Sequence, residues 1–134
     1  MEELAEKRVW QRVRGEQDPA EGLRALLARQ GRCLGAYGTM SRRGGAWRRL
    51  YECKEEQVAC LRGLLRMLTG QGAAPPRPDS GSIDLASCME SERQTLETLT
   101  ELSREGRWSA VLGQICRRQE RICCLLLELL GRMA

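Results

Sequence analysis

The sequence repeats itself with an offset of 62 residues (92 − 30 = 62), so that residues 30–70 align with residues 92–132. In both halves a leucine-rich stretch runs into a glycine-containing turn, and a second leucine-rich stretch follows at the same distance. The turn reads Ser41-Arg42-Arg43-Gly44 in one half and Ser103-Arg104-Glu105-Gly106 in the other. Further identities are Leu34/Leu96, Leu50/Leu112, Gln57/Gln119, Leu64/Leu126, Leu65/Leu127 and Leu68/Leu130. Breaks at the same offset predict two helical hairpins of equal size.

The spacing of apolar residues predicts five helices, because apolar side chains recur every three or four positions. The predicted helices cover residues 2–14, 19–41, 46–68, 83–103 and 108–133. The predicted inward face of the helix over 46–68 is Trp47, Leu50, Cys53, Gln57, Cys60, Leu61, Leu64 and Leu68. The face of the last helix is Val111, Leu112, Ile115, Cys116, Gln119, Ile122, Cys123, Leu126 and Leu130.

Length and composition favour one all-α domain. A chain of 134 residues is one domain by size, and the absence of Phe leaves little material for a sheet. We expect an N-terminal helix over 1–15, a helical hairpin over 19–70, a crossover linker over 71–82 and a second hairpin over 83–134. The linker contains three of the four prolines, and about 12 extended residues reach roughly 40 Å, the length of a long helix.

Charge and cysteine content bear on compartment and partners. No stretch has the roughly 18 apolar residues of a membrane span, and no N-terminal apolar segment suggests export. The odd count of seven cysteines fits reduced thiols, so we expect a cytoplasmic protein without membrane contact. Arg42, Arg43, Arg48 and Arg49 form a basic cluster, but interspersed acidic residues and few aromatics favour a solvated helix end over nucleic-acid contact.

Several polar residues on the predicted inward faces carry a family resemblance. Gln30 stands seven residues before Tyr37, and the second helix contains Glu56-Gln57-Val58-Ala59-Cys60 and a leucine-rich run that ends in Thr69-Gly70. Over residues 19–133 this arrangement resembles the ferritin-like superfamily, and the small rubrerythrin-like proteins in particular. The resemblance implies a ferritin-like four-helix bundle with two hairpins joined by a long crossover. It also implies a Glu on one helix and a Glu-x-x-His on the next, twice over, as ligands of a di-iron centre.

This chain departs from that pattern at almost every ligand position. The matching positions hold Gln30, Gln57, Cys60, Glu92, Gln119 and Ile122, and the chain contains no histidine. Carboxylates neutralise and bridge iron ions, whereas amides are poor bridging ligands and isoleucine cannot coordinate. The sequence therefore predicts a metal-free protein with no cofactor, no catalytic residues and no di-iron oxidoreductase activity.

Three functions remain open from the sequence. The first is a non-catalytic bundle, structural or interacting with a protein partner or with itself through helix faces, in which the central glutamines and Glu92 bond to one another. With no cation predicted beside it, Glu92 is expected to favour its neutral form unless amide donors from Gln30, Gln57 or Gln119 stabilise the carboxylate. Glu92→Gln is expected to be nearly neutral for stability. The second is a module that binds a small ligand or a soft metal with the central polar residues and nearby thiols. The third is a rubrerythrin-like oxidoreductase with atypical ligands.

Overall fold

The computed structural model describes residues 19–78, 84–104 and 106–133, and within these ranges the chain is helical and contains no strand. The predicted all-α class is therefore confirmed. A 3₁₀ turn at Ser41–Arg43 joins the second helix to the third. The described residues form five α-helices, which are α1 (Ala20–Ala28), α2 (Gly31–Met40), α3 (Gly45–Thr69), α4 (Leu85–Ser103) and α5 (Ser109–Met133). The predicted helix at 1–15 lies outside the described residues.

The ends of α3 and α4 follow from local sequence chemistry. Gly70 caps α3 in the left-handed conformation (φ 74°) and donates its N–H to Arg66 O at 2.8 Å. Asp84 caps α4 by accepting from Ser87 N at 3.1 Å and from Ser87 Oγ at 2.7 Å. The hydrogen bonds from Ser87 hold the pKa of Asp84 below its ordinary value. These boundaries lie within two residues of the predicted ones.

The continuous helix predicted over 19–41 is wrong, because the chain breaks at Arg29 and Gln30. There the backbone turns more tightly, with Arg29 N bonded to Leu26 O and Gln30 N to Leu27 O. The Gln30 side chain takes the carbonyl that its own N–H would reach in an α-helix, donating Nε2 to Leu26 O at 2.8 Å. The interruption thus leaves Gln30 buried with its amide oxygen free for a partner on another helix.

The helices pack in neighbouring pairs. α4 and α5 contact each other along their length, and α3 contacts α1, α2 and α5. Ser109 Oγ donates to Ser103 O at 2.6 Å, so α5 turns back along α4. Residues 70–78 follow α3, and within this segment Ala73 packs against one end of the core. Leu85, at the start of α4, packs against the other end.

The core consists of two apolar clusters separated by a polar layer. The first cluster includes Leu23, Leu61, Leu64, Leu99 and Leu112, and the second includes Met40, Trp47, Leu50, Ile122 and Leu126. Along α3, Leu50 belongs to the second cluster and Leu61 to the first, and polar residues are buried between them. On α5 the order is reversed, because its buried polar residue, Gln119, lies between Cys116 of the first cluster and Ile122 of the second.

Two details of the predicted inward face of α5 are wrong. Val111 was expected inside but is 44% exposed, because the buried face runs through Leu112, Ile115, Gln119 and Ile122, one position further along the helix. At the other end Leu129 is buried, whereas Leu130 is only partly buried against the second cluster.

Candidate functional site

The centre of the protein is a layer of polar side chains that are almost entirely removed from solvent. None of them is more than 3% exposed, and they come from the α1–α2 junction, α3, α4 and α5. The layer consists of Gln30, Lys54, Gln57, Glu92, Thr95 and Gln119. Buried polar groups at this density are stable only if their hydrogen bonds are satisfied, so their partners decide what the layer can do.

A buried ion pair organises the layer. Lys54 Nζ lies 2.6 Å from Glu92 Oε1, and both side chains are 0% exposed. The same ammonium group donates to Gln30 Oε1. The expectation that Glu92 would lack a neighbouring cation is therefore wrong, because Lys54 supplies one.

The Glu92 carboxylate accepts from two further donors. Tyr37 donates its hydroxyl to Oε2 at 2.8 Å, and Gln119 donates Nε2 to Oε1 at 3.0 Å. Burial, and then the adjacent Glu92 carboxylate, raise the pKa of Tyr37 far above its ordinary value, so the phenol stays protonated as a donor. Charge-assisted hydrogen bonds of this kind are about twice as strong as neutral ones.

The glutamines complete the network through the backbone and through one another. Gln57 donates Nε2 to Ile115 O at 3.0 Å and to Gln119 Oε1 at 3.3 Å. Gln119 also donates Nε2 to Glu92 O at 3.0 Å, and Gln30 donates Nε2 to Thr95 Oγ1 at 3.4 Å. Among the buried side-chain nitrogens and oxygens that the structure describes, only Gln57 Oε1 lacks a hydrogen-bond partner.

Residues at equivalent positions of the repeat meet in this layer. Gln57 and Gln119 hydrogen bond directly, and Gln30 and Glu92 bind the same Lys54 ammonium. Four of the six sequence-predicted positions are thus brought together. The repeat does not extend to the cation, because the position equivalent to Lys54 is Cys116 (54 + 62 = 116).

The other two predicted positions lie outside the polar layer. Ile122 is 1% exposed within the second apolar cluster, and Cys60 is half-buried against the first. In the described part of the chain, no group of three or more His, Cys, Asp or Glu side chains is placed to hold a metal ion.

Sequence reasoning missed Lys54, although the sequence carried a signal for it. Lys54 lies four residues after Leu50 and three before Gln57, on the same face as both. Lysine side chains are mostly exposed in proteins, and the apolar spacing predicts Cys53 on the inward face instead. In the structure Cys53 is half-buried and Lys54 is 0% exposed.

The cysteines next to the layer are free thiols. Cys33 donates to Cys88 O at 3.9 Å, one helical turn from Glu92. Hydrogen bonding with Cys33, followed by burial, raises the pKa of the Cys88 thiol well above its ordinary value. Burial is also the main cause that raises the pKa of Cys123 to about 11. Cys88 and Cys123 are therefore protonated near neutral pH, which makes them poor nucleophiles and poor metal ligands. Cys33 differs, because its hydrogen bond with Cys88 lowers the pKa of its thiol.

Comparisons of the chain with family models, curated proteins and solved structures gave no match. Across the described residues, none of the helices combines the length and the apolar character needed to cross a membrane.

Proposed function

We propose that this chain is a non-catalytic ferritin-like helical bundle in which an internal ion pair takes the place of a di-iron centre. Its role is then structural, or that of an interaction protein that presents its helix faces to a partner or to a second copy. The observation that carries the proposal is the Lys54 ammonium group, buried between Gln30 and Glu92.

The packing of the helices supports the ferritin-like part of the proposal. α1 and α2 lie against α3, α4 lies against α5, and the chain between α3 and α4 leaves one end of the core and re-enters at the other. Two hairpins joined by a long crossover define the ferritin-like arrangement. The meeting of equivalent residues at the centre is what two hairpins related by an approximate twofold axis produce.

The donor set does not fit a di-iron centre. A lysine ammonium group has three N–H donors and no lone pair, so at the centre of the layer it repels a metal cation. Gln57 and Gln119 turn their amide N–H groups toward neighbouring oxygens, and Glu92 is the one carboxylate in the layer. The ammonium group provides the positive charge that the carboxylate needs and donates N–H bonds to Gln30 and Glu92 in place of metal ligation.

The alternative of a ligand or soft-metal site at the centre has weaker support. The polar side chains fill the layer by contacting one another, and three surface clefts are lined by other residues. Of the thiols beside the layer, Cys88 and Cys123 are protonated near neutral pH, as their raised pKa values indicate. Hydrogen bonding with Cys88 lowers the pKa of Cys33, but no group of three metal-ligating side chains includes it among the described residues.

Metal loading tests the proposal most directly. The wild-type protein, purified under reducing conditions, is incubated anaerobically with excess Fe²⁺, desalted and analysed by mass spectrometry for iron, manganese and zinc. We expect sub-stoichiometric metal and no absorption change on exposure to air. A stoichiometric pair of metal ions whose binding is lost in Glu92→Gln would contradict it.

The interaction part of the proposal needs a separate measurement. Leu127 is 63% exposed on α5, next to the fully buried Leu126. Light scattering of the wild type and of Leu127→Glu measures self-association, because a charge on an apolar helix-helix interface disrupts it. A dimer in the wild type that becomes a monomer in the variant identifies this face as the contact between copies.

A further inference from the structure

A surface cleft lies on the other side of the α1–α2 break from the polar layer. It has a volume of about 580 Å³ and is formed by the α1–α2 junction, the linker after α3 and the first half of α4. Its charged and hydroxyl lining consists of Arg29, Arg32, Arg77, Ser87, Glu90 and Ser91. No residue of the buried Lys54–Glu92 layer lines it.

A close backbone contact holds the linker at this cleft. A Cβ atom on Gly31 would lie 2.1 Å from Arg77 O, so only glycine allows the linker to approach the start of α2 this closely. The approach brings the Arg77 side chain to the same cleft as Arg29 and Arg32, which flank Gly31 in sequence. The cleft therefore depends on a specific glycine.

The charges in the cleft are unbalanced. Arg29, Arg32 and Arg77 have no carboxylate within ion-pair distance among the described residues, whereas Glu90, the one acidic residue in the lining, pairs with Arg93 at 3.5 Å. Asp84, the residue before α4, also interacts electrostatically with Arg32, so among the described residues three guanidinium groups face two carboxylates, one of which already has a cation. Helix α2, ten residues long, begins at Gly31 in the same cleft and adds the positive end of its dipole.

We propose that this cleft binds a phosphate group carried by a small molecule. Guanidinium groups bind phosphate oxygens through paired N–H donors. The volume lies within the range of small-molecule sites, roughly 300–1,000 Å³. The site is distinct from the buried layer, so the proposal stands whether or not the chain is a metal-free ferritin-like bundle.

Isothermal titration calorimetry in a low-salt buffer without phosphate tests the site, with inorganic phosphate, inorganic pyrophosphate and adenosine monophosphate as probes. We expect saturable binding of at least one probe by the wild type. Arg32→Gln and Arg77→Gln each remove a charge-assisted donor, so each should raise Kd about tenfold or more. Binding should also weaken as salt is added.

The matched control is Arg132→Gln, because Arg132 is an exposed arginine on α5 that pairs with Glu128 rather than lining the cleft. It should change Kd less than twofold, and circular dichroism melts should show that all three variants remain folded. Absence of heat for all three probes at millimolar concentration overturns the proposal. An equal loss in all three variants also overturns it, because it indicates non-specific charge attraction. Tighter binding of polyuridylate than of pyrophosphate, weakened by Arg32→Gln and Arg77→Gln, assigns the cleft to nucleic acid instead and equally overturns the small-molecule proposal.

Discussion

At the scale of single residues, Lys54 determines the chemistry of the centre. Its side chain is 0% exposed, and its ammonium group bridges Gln30 at the α1–α2 break and Glu92 on α4. A buried ion pair contributes less to stability than its distance suggests, because both charges lose their hydration. Removing one partner alone is costly, since the other charge is then left uncompensated.

Lys54→Met should lower the free energy of unfolding by about 3–5 kcal/mol, because it leaves the buried Glu92 carboxylate without a cation. Urea denaturation followed by circular dichroism measures the change. A loss below about 0.5 kcal/mol, typical of a surface substitution, would show that Lys54 is not buried in solution.

Glu92→Gln should lower stability, in contrast to the prediction from sequence, because it leaves the Lys54 ammonium group among amide oxygens. It should be destabilising by an amount similar to Lys54→Met. The double variant Lys54→Met/Glu92→Gln should recover part of the loss, with a coupling energy of about 0.5–3 kcal/mol. Strict additivity of the two single changes would contradict a direct ion pair.

Thiol accessibility gives an independent measure of the interior. Cys124 is exposed, whereas Cys33, Cys88 and Cys116 are buried. With iodoacetamide at pH 8, intact-mass analysis should show Cys124 modified first and Cys33 and Cys88 only on unfolding. Its neighbour Cys123 should react slowly, because a pKa of about 11 leaves little thiolate at that pH. Cys124→Ser should abolish the fast phase, and a fast phase that survives would contradict this arrangement.

At the scale of elements, the helices begin and end where short-range chemistry predicts, except at Gln30. Glycine ends α3, and an aspartate cap begins α4. The sequence contains no proline that would predict the break between α1 and α2. It depends on tertiary partners, because the linker packs at Gly31 and Lys54 binds Gln30.

Two glycine-to-alanine changes should have opposite effects. Gly31→Ala places a methyl group against Arg77 O, so it should lower stability by about 1–3 kcal/mol and weaken pyrophosphate binding. Gly63→Ala meets nothing within 4 Å on an exposed turn of α3, so it should raise stability by about 0.5–1 kcal/mol. Thermal melts of both variants beside the wild type test the contrast. Equal effects would mean that the linker does not pack at Gly31.

At the scale of the whole molecule, the two apolar clusters are joined through helices that contribute to both. α3, for example, supplies Leu50 to one cluster and Leu61 to the other. The single domain predicted from the sequence stays a prediction, which the cooperativity of unfolding tests. Neither cluster can lose its packing without disturbing the polar layer between them.

Leu61→Ala and Leu126→Ala, one in each cluster, should both lower the midpoint of a single unfolding transition. Each side chain is 0% exposed, and truncation costs about 2–5 kcal/mol. Leu127→Ala, adjacent but exposed, should stay within about 0.5 kcal/mol of the wild type. Two transitions, with each variant shifting a different one, would divide the chain into two domains.

The sequence by itself determined the features that depend on short-range periodicity. The all-α class, the ends of α3, α4 and α5, and the burial of Gln30, Gln57, Glu92 and Gln119 follow from apolar spacing, glycine positions and the 62-residue repeat. Such signals are local, because a helix places residues three and four apart on one face whatever surrounds it.

Tertiary structure alone decided the chemistry of the centre. Whether Lys54 or Cys53 faces inward depends on a rotation of α3 by one residue, and that rotation is set by the helices packed against it. Helical periodicity allows either residue to face inward. Glu92 on α4, 38 residues away in sequence, decides between them, because its buried carboxylate binds the Lys54 ammonium group. A buried charged group is stable only beside a group of opposite charge. Its position therefore follows from packing between distant segments of the chain.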